Sequence, residues 1–246
     1  GGFSKIPSED ELRELRESLA GAFEDLDALD DLLAELADRL PAFERETEFI
    51  SLTHPDEYAL YDGTLYSSDV GELSNADYES VVNEYVTEQS TAKFARHERE
   101  SYFVGALARL NNNFEQLSPK AKAVAETFGL EPICHNPFMN NVAQVVETAH
   151  LFETSIETID ELLETGLEDQ SDYNRPEIDP EDGRGIGLVE APRGLLIHDY
   201  TFEDGTCRAA NSVIPTNQNH GNIQADMEAM VPTILDRPEA EIEHTL

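Results

Sequence analysis

The segment Gly185–Asn219, GIGLVEAPRGLLIHDYTFEDGTCRAANSVIPTNQN, carries the clearest structural pattern of the chain. Residues 195–202 and 206–213 are rich in apolar and β-forming side chains, and an intervening Glu-Asp-Gly sequence is typical of a turn. These features predict an antiparallel hairpin. Because a hairpin returns the chain beside its start, we expect the polar loops 190–194 and 213–217 to lie close together.

Length and charge limit the possible classes of protein. The 246 residues can bury a substantial core, and 52 acidic against 16 basic residues give a formal net charge of -36. This sign argues against binding of nucleic acid or an anionic membrane surface. No stretch approaches the roughly eighteen apolar residues of a membrane-spanning helix. We expect a cytoplasmic protein without a membrane span, whose acidic surface suits the high salt of a halophile.

Three long helices are predicted from apolar spacing and end signals. Ser8 and Glu11 form a capping box before a helix that continues to about residue 40. Proline at the start and glycine at the end mark two further helices, at residues 119–129 and 137–166.

Shorter patterns lie between these helices. Residues 58–61 and 64–66 flank Asp62-Gly63, which predicts a tight type I′ hairpin. Residues 75–88 have apolar side chains at helical spacing. The polar, acidic residues 167–184 predict a loop.

Together these patterns predict a predominantly helical α+β protein with long packed helices and a small antiparallel sheet. Within a single domain, residues 1–166 are expected to be mainly helical, residues 185–219 to form the hairpin carrying the functional loops, and residues 220–246 to be helical. The chain starts at Gly1 without methionine, and its last helix reaches Leu246 without a stop signal. We interpret it as a segment of a longer protein.

Several polar residues are interpreted as structural. Cys134 and Cys207 belong to no C-x-x-C pair, so two buried free thiols are expected in preference to a disulfide. The neighbouring pair Cys134-His135 is not expected to bind a metal. His198 is predicted to be a packed strand residue, and Asn111–Asn113 to end a helix.

Two motifs carry a resemblance to a known family. The run V-E-A-P-R-G-x-L-x-H-D-Y at residues 189–200, followed by A-N-x-x-x-P-T-x-x-N at residues 210–219, resembles the large (alpha) subunit of nickel-iron hydrogenases. The similarity is greatest to the cytosolic group that reduces soluble cofactors, and it continues upstream through residues 100–109 and 117–122. It implies the large-subunit fold and an oxidoreductase that catalyses heterolytic H2 oxidation or proton reduction.

The resemblance also implies a cofactor that this chain cannot assemble alone. In that family, nickel and iron are held by cysteine thiolates from two C-x-x-C pairs, and neither pair is present here. The intact protein is expected to contain a Ni-Fe centre with CN and CO ligands and a Mg or Fe ion. No cofactor is expected on this segment alone, which should be inactive by itself.

The motifs assign roles to five residues by position. Pro192 and Arg193 match residues above the iron's cyanide and carbonyl ligands, and Ile214 and Thr216 match a pair that faces the other cyanide. Cyanide nitrogen is an anionic acceptor, so a guanidinium and a hydroxyl are suitable donors. Arg193 is the candidate catalytic residue, as a base or electrostatic anchor. The backbone carbonyl of Ser212 matches a ligand of the Mg or Fe ion.

The implied partners are an iron-sulfur small subunit and an electron-accepting subunit for NAD(P), a deazaflavin or a ferredoxin. The alternative is a cysteine-less, metal-free scaffold or quinone-proximal subunit, related to the respiratory complex I relative of these enzymes. Arg193 and Thr216 weigh against it, because a scaffold without cyanide ligands does not need those donors. A third alternative is an acidic interaction module without catalytic ancestry.

Overall fold

A computed structural model describes residues 6–37, 40–167 and 182–245. The helices are α1 Glu9–Ala37, α2 Tyr78–Val81, α3 Ala106–Asn113, α4 Pro119–Thr127, α5 Met139–Thr165, α6 Pro215–Met230 and α7 Glu239–Thr245. The strands are β1 Glu48–Thr53, β2 Thr64–Ser67, β3 Gly71–Leu73, β4 Asn83–Tyr85, β5 Phe94–Arg96, β6 Tyr102–Phe103, β7 Gly183–Ala191, β8 Gly194–Glu203 and β9 Thr206–Val213.

The strands form small sheets beside the helices. Four strands pair in the order β3-β2-β1-β6, where only β1 and β6 run parallel. β4 pairs with β5, and β7, β8 and β9 form an antiparallel sheet. The fold is therefore α+β with long packed helices, as predicted, although the described residues contain several small sheets where the sequence predicted one.

The long helices form at the predicted positions and pack around a common core. Ser8 and Glu11 make the capping box, with the Glu11 N–H donating to Ser8 Oγ at 3.2 Å. The rings of Phe23 in α1 and Phe152 in α5 meet edge-on with centroids 5.9 Å apart. The centre of this core comprises Leu107, Leu110, Val124, Val142, Val146 and Ala149, all buried.

A second core joins the four-stranded sheet to the three-stranded sheet. It comprises Ile50, Leu52, Leu65, Tyr78, Val81, Val104, Leu195, Ile197 and Val213, all buried. Leu195 and Ile197 are alternate residues of β8, so they share one face of the strand. Burial of that face places the turn between β7 and β8 beside the start of α3.

The predicted hairpin at residues 58–66 is wrong. Residues 58–61 form no strand, and β2 pairs with β1 and β3 instead. Tyr58 and Ala59 are buried, and the Tyr58 hydroxyl donates to Glu147 Oε1 at 2.8 Å. Burial of this segment against the helices therefore outweighs the local turn signal.

The predicted helix at residues 75–88 is confirmed only as far as Val81 and is wrong beyond it. A short 3-10 turn and α2 end at Val81, and the chain then enters β4, where Asn83 pairs with Arg96 of β5. The Asn83 side chain donates to the Arg96 carbonyl at 3.2 Å. Pairing between segments distant in sequence replaces the helix that the local spacing predicted.

The region around the predicted hairpin contains more structure than expected. Strands β8 and β9 are present as predicted, and β7 adds a third strand that includes residues 183 and 184 of the predicted loop. Residues 168–181 of that loop lie outside the described part, as does Leu246. Helix α6 begins at Pro215, and proline is common in the first turn of a helix.

Candidate functional site

The Pro192-Arg193 turn joins β7 to β8, whose last pair is Ala191 with Gly194. Pro192 and Arg193 both have negative φ and exposed side chains. Gly194 has φ of +129°, a conformation that side-chain-bearing residues rarely adopt. The turn therefore presents the guanidinium of Arg193 at the surface of the sheet end.

A buried arginine supports this turn from α3. Arg109 is 1% exposed and donates to the carbonyls of Ala191 at 2.9 Å and Pro192 at 3.2 Å. It also donates to Glu147 at 2.6 and 2.8 Å and to Glu190 at 3.0 Å. Burial disfavours its charge, but the two carboxylates outweigh burial and raise the pKa of Arg109. The cation is thus held permanently beneath the turn.

Helix α6 holds the other side of the turn through Asn219. Its amide oxygen accepts the Val104 N–H at 2.9 Å, and its NH2 donates to the carbonyls of Val104 at 3.0 Å and Arg193 at 3.2 Å. Gly105 has φ of +116°, and a Cβ there would lie 3.0 Å from the Arg193 carbonyl oxygen. The absence of a side chain at Gly105 lets the two backbones meet.

The second predicted loop, residues 213–217, is mostly the first turn of α6, and only Ile214 lies between β9 and that helix. Strand β9 ends at Val213, and Pro215 opens the helix. Ile214 occupies the N-cap position, and its side chain provides no capping hydrogen bond. Thr216 therefore lies in a first helical turn whose amides have no acceptor from the cap residue, and such amides favour anions.

Both loops line one cavity of about 380 Å³. Its polar side includes Arg193, Thr216, Asn219 and Asp226, which is paired with Arg45, and Pro192 lies beside Arg193. Its apolar wall includes Phe43, Phe103, Phe138, Ile223, Met227 and Met230. The structure thus brings together three of the predicted site residues, Pro192, Arg193 and Thr216.

Two predicted site residues lie outside the lining of this cavity. Ile214 is 44% exposed, between β9 and α6. Ser212 is exposed on β9, where it pairs with His198 of β8. Neither location assigns a role to these residues.

Two of the polar side chains at the cavity, those of Arg193 and Thr216, are available as donors. Within residues 6–37, 40–167 and 182–245, neither the Arg193 guanidinium nor the Thr216 hydroxyl has a hydrogen-bond or ion-pair partner. A guanidinium, a hydroxyl and the start of a 16-residue helix all favour an anionic acceptor. The donor set therefore fits a ligand with anionic nitrogen or oxygen atoms.

The residues interpreted as structural have protein partners. His198 Nδ1 lies 2.7 Å from the Tyr200 hydroxyl. Asn111–Asn113 end α3, and Asn111 exchanges hydrogen bonds with the backbone of Cys134. The expectation of two buried thiols is wrong for Cys207, which is exposed on β9, whereas Cys134 is half-buried and burial raises its pKa.

No group of three or more His, Cys, Asp or Glu side chains in the described part of the chain is arranged to hold a metal ion. None of the described helices combines the length and apolar character required to cross a membrane.

Residues 46–243 match the family model of nickel-dependent hydrogenases. The match covers most of the chain and includes both loops of the cavity. The chain belongs to the nickel-dependent hydrogenase family. The resemblance inferred from the Pro-Arg and Pro-Thr motifs is confirmed.

Curated relatives in this hydrogenase family are longer than the chain. Sulfhydrogenase 1 subunit alpha of Pyrococcus furiosus is 29% identical over 230 residues, covering 94% of this chain and 53% of the relative. Sulfhydrogenase 2 subunit alpha of the same organism is 29% identical over 225 residues, covering 89% of this chain and 49% of the relative. The chain thus spans about half the length of these relatives.

A solved hydrogenase structure has the same fold. The crystal structure of an NAD+-reducing NiFe-hydrogenase in the H2-reduced state matches with a TM-score of 0.71 at 24% identity. The match covers 92% of this chain and 54% of the solved chain. The predicted hydrogenase large-subunit fold is therefore confirmed.

Sequence reasoning overlooked the residues that support the turn in this member of the hydrogenase family. Arg109 occurs in the otherwise apolar run Val104–Leu110. A charged residue at a buried helical position is rare unless it is paired. An arginine in this apolar run therefore indicates a buried, paired charge. Asn219 has no comparable signal, because its contacts depend on how α6 docks.

Proposed function

We propose that the chain is part of a nickel-iron hydrogenase large subunit that catalyses heterolytic H2 oxidation or proton reduction. The observation that carries the proposal is the juxtaposition at one cavity of two donors, Arg193 and Thr216, whose side chains have no partner among the described residues. Family membership supports the same reaction class. Because the chain spans about half of its relatives, the activity belongs to the intact protein.

The proposed cofactor is a Ni-Fe centre with CN and CO ligands, and it supplies the H2-cleaving chemistry when bound. Pro192, Arg193, Ile214 and Thr216 would contact it, and the Ser212 carbonyl would bind an accompanying Mg or Fe ion. The donor set at the cavity fits cyanide nitrogen. The thiolate ligands would come from outside this chain, which is not expected to hold the centre alone.

The residues of the chain would act on this centre by charge, hydrogen bonding and exclusion of water. The planar fork of Arg193 can give two hydrogen bonds to anionic acceptors, and the Thr216 hydroxyl can give another. The apolar wall of the cavity lowers the local dielectric constant, which strengthens both interactions. Arg193 would act as an electrostatic anchor and not as a base, because a guanidinium has five N–H donors and no acceptor.

The proposed partners are an iron-sulfur small subunit and an electron-accepting subunit for NAD(P), a deazaflavin or a ferredoxin. One relative of the same fold is named as NAD+-reducing, which supports a soluble electron carrier.

We further propose a cytoplasmic protein of a halophile with an acidic surface. The net charge of -36 supports this, because high salt screens the repulsion between acidic groups.

The alternative is a metal-free scaffold or quinone-proximal subunit related to the complex I relative. It would be favoured if the intact protein, like this chain, contained neither C-x-x-C pair. Arg193 and Thr216, whose side chains have no partner in the described part of the chain, favour the hydrogenase, because a scaffold without cyanide ligands does not need those donors.

The test uses the full-length protein co-produced with its small subunit. Nickel and iron content and dye-linked H2 uptake are measured for the parent and for Arg193→Lys. We expect both metals in each protein and strongly reduced uptake in the variant, because a point charge replaces a planar fork. A metal-free parent would support the scaffold, and equal uptake rates would remove Arg193 from the mechanism.

A further inference from the structure

The Pro192-Arg193 turn is not a type that a two-residue hairpin favours. Such hairpins prefer type I′ or II′ turns, which require positive φ at one or both central residues. Proline fixes φ near -65°, and Arg193 also has negative φ. The turn therefore needs support from outside the hairpin to hold one conformation.

Side chains from outside the hairpin donate hydrogen bonds to three consecutive backbone carbonyls of the turn. Arg109 donates to those of Ala191 and Pro192, and Asn219 donates to that of Arg193. The peptide groups before and after the Arg193 Cα are thus both held. These groups set the direction of the Cα–Cβ bond of Arg193, whose side chain lines the cavity.

We propose that Arg109 is a positioning residue for Arg193. This inference rests on the proposed function, because it assigns Arg109 a purpose at the same site. Ion pairs with Glu147 of α5 and Glu190 of β7 also hold Arg109. Glu190 is also fixed, because its Oε1 accepts the Leu52 N–H of β1 at 2.9 Å. The four-stranded sheet, α3 and α5 thereby all act on one turn.

The geometry requires arginine at position 109. A guanidinium has five N–H donors, and here they have five acceptors. Nε and one Nη2 proton face Glu147, the other Nη2 proton faces the Pro192 carbonyl, and the two Nη1 protons face Glu190 and the Ala191 carbonyl. Lysine has three donors, so Arg109→Lys keeps the charge and loses at least two of these bonds.

The test compares Arg109→Lys with Arg184→Lys in the intact enzyme. Arg184 is a matched control, because it makes a bidentate pair with Asp199 at 2.9 and 2.6 Å in the same sheet, without contacting the turn. We measure kcat and KM for H2, the infrared bands of the cyanide ligands, and deuterium exchange of residues 188–196. Thermal unfolding establishes that each variant is folded.

We expect Arg109→Lys to lower kcat by about tenfold to a hundredfold, with smaller effects on KM, as for other residues that orient a metal environment. Its cyanide bands should shift and exchange at residues 188–196 should accelerate, whereas Arg184→Lys should change neither. Adding Arg109→Lys to Arg193→Lys should cause no further loss of kcat. Unshifted cyanide bands in Arg109→Lys would overturn the proposal. So would losses of kcat that multiply in the Arg109→Lys, Arg193→Lys double variant.

Two outcomes separate this inference from the proposed function. If the parent enzyme lacks metal and cyanide bands, the proposed function fails, and the exchange measurement alone still shows whether Arg109 orders the turn. If Arg109→Lys does not fold, Glu190→Gln replaces it, because the amide oxygen can still accept the Leu52 N–H while the NH2 group offers no acceptor to Arg109. Glu190→Gln with parental bands and kcat would then overturn the positioning role.

Discussion

Gly194 packs directly against Val104. A β-carbon at Gly194 would lie 2.7 Å from the Cβ of Val104 and 2.9 Å from the backbone nitrogen of Gly105. The turn that carries Arg193 therefore approaches the start of α3 as closely as backbone sterics allow. This contact leads to a stability prediction.

Gly194→Ala should be strongly destabilising. The substitution combines positive φ with a steric overlap, so we expect a loss of about 2 to 4 kcal/mol in the free energy of unfolding. Urea denaturation measures it. Gly187→Ala is the matched control in the neighbouring strand, since a Cβ there meets no atom within 4 Å. Equal stabilities of the two variants would contradict the observed packing.

Thr216→Val should separate hydrogen bonding from shape at the cavity. Valine retains the volume but lacks the hydroxyl, so we expect H2 turnover to fall by about tenfold, which corresponds to one lost hydrogen bond. Thermal unfolding and metal content should match the parent. Thr158→Val is a control, because this exposed threonine of α5 bonds only the Thr154 carbonyl. Parental turnover in Thr216→Val would exclude a role for the hydroxyl.

Tyr58→Phe should test the buried carboxylate network. The Tyr58 hydroxyl donates to Glu147 at 2.8 Å, and burial followed by the charge of Glu147 raises the pKa of Tyr58. Loss of a bond to a charged group should lower the free energy of unfolding by about 1 to 2 kcal/mol. Tyr61→Phe, where the parent residue is 87% exposed, should show no change under the same denaturation conditions.

His150 predicts a pH dependence of stability. Burial lowers its pKa, and this outweighs the opposing effects of Glu147 and Glu153. The neutral ring accepts the Ser118 N–H at 3.1 Å, at the start of α4. Because the unfolded chain binds the proton more readily, stability is retained above the unfolded pKa of about 6.5 and lost as the pH falls below it.

His150→Asn tests this assignment, because its amide oxygen can also accept a hydrogen bond. Between pH 5 and 7.5, we expect the slope of unfolding free energy against pH to decrease. The decrease should correspond to the uptake of at most one proton on unfolding. His54→Asn is the control, since His54 accepts a similar bond from the Asp56 N–H at 3.2 Å. An unchanged slope in His150→Asn would assign the pH dependence to other groups.

Several elements could be predicted because their signals are local. The capping box of α1 and the Ser118-Pro119 start of α4 involve residues at most three positions apart. Strands β4 and β7 were missed because each depends on a partner strand. The 75–88 spacing fits a helix equally well, and only pairing with β5 decides against it.

Local sequence was sufficient to identify the helices α1, α4 and α5, the β8-β9 hairpin and the two loops that line the cavity. The packed fold alone established what holds those loops in place. Arg109 reaches Ala191 across 82 positions and Asn219 reaches Val104 across 115 positions. Such contacts leave no periodic pattern in the chain, because they arise only when α3, α6 and the sheets bury their apolar faces together.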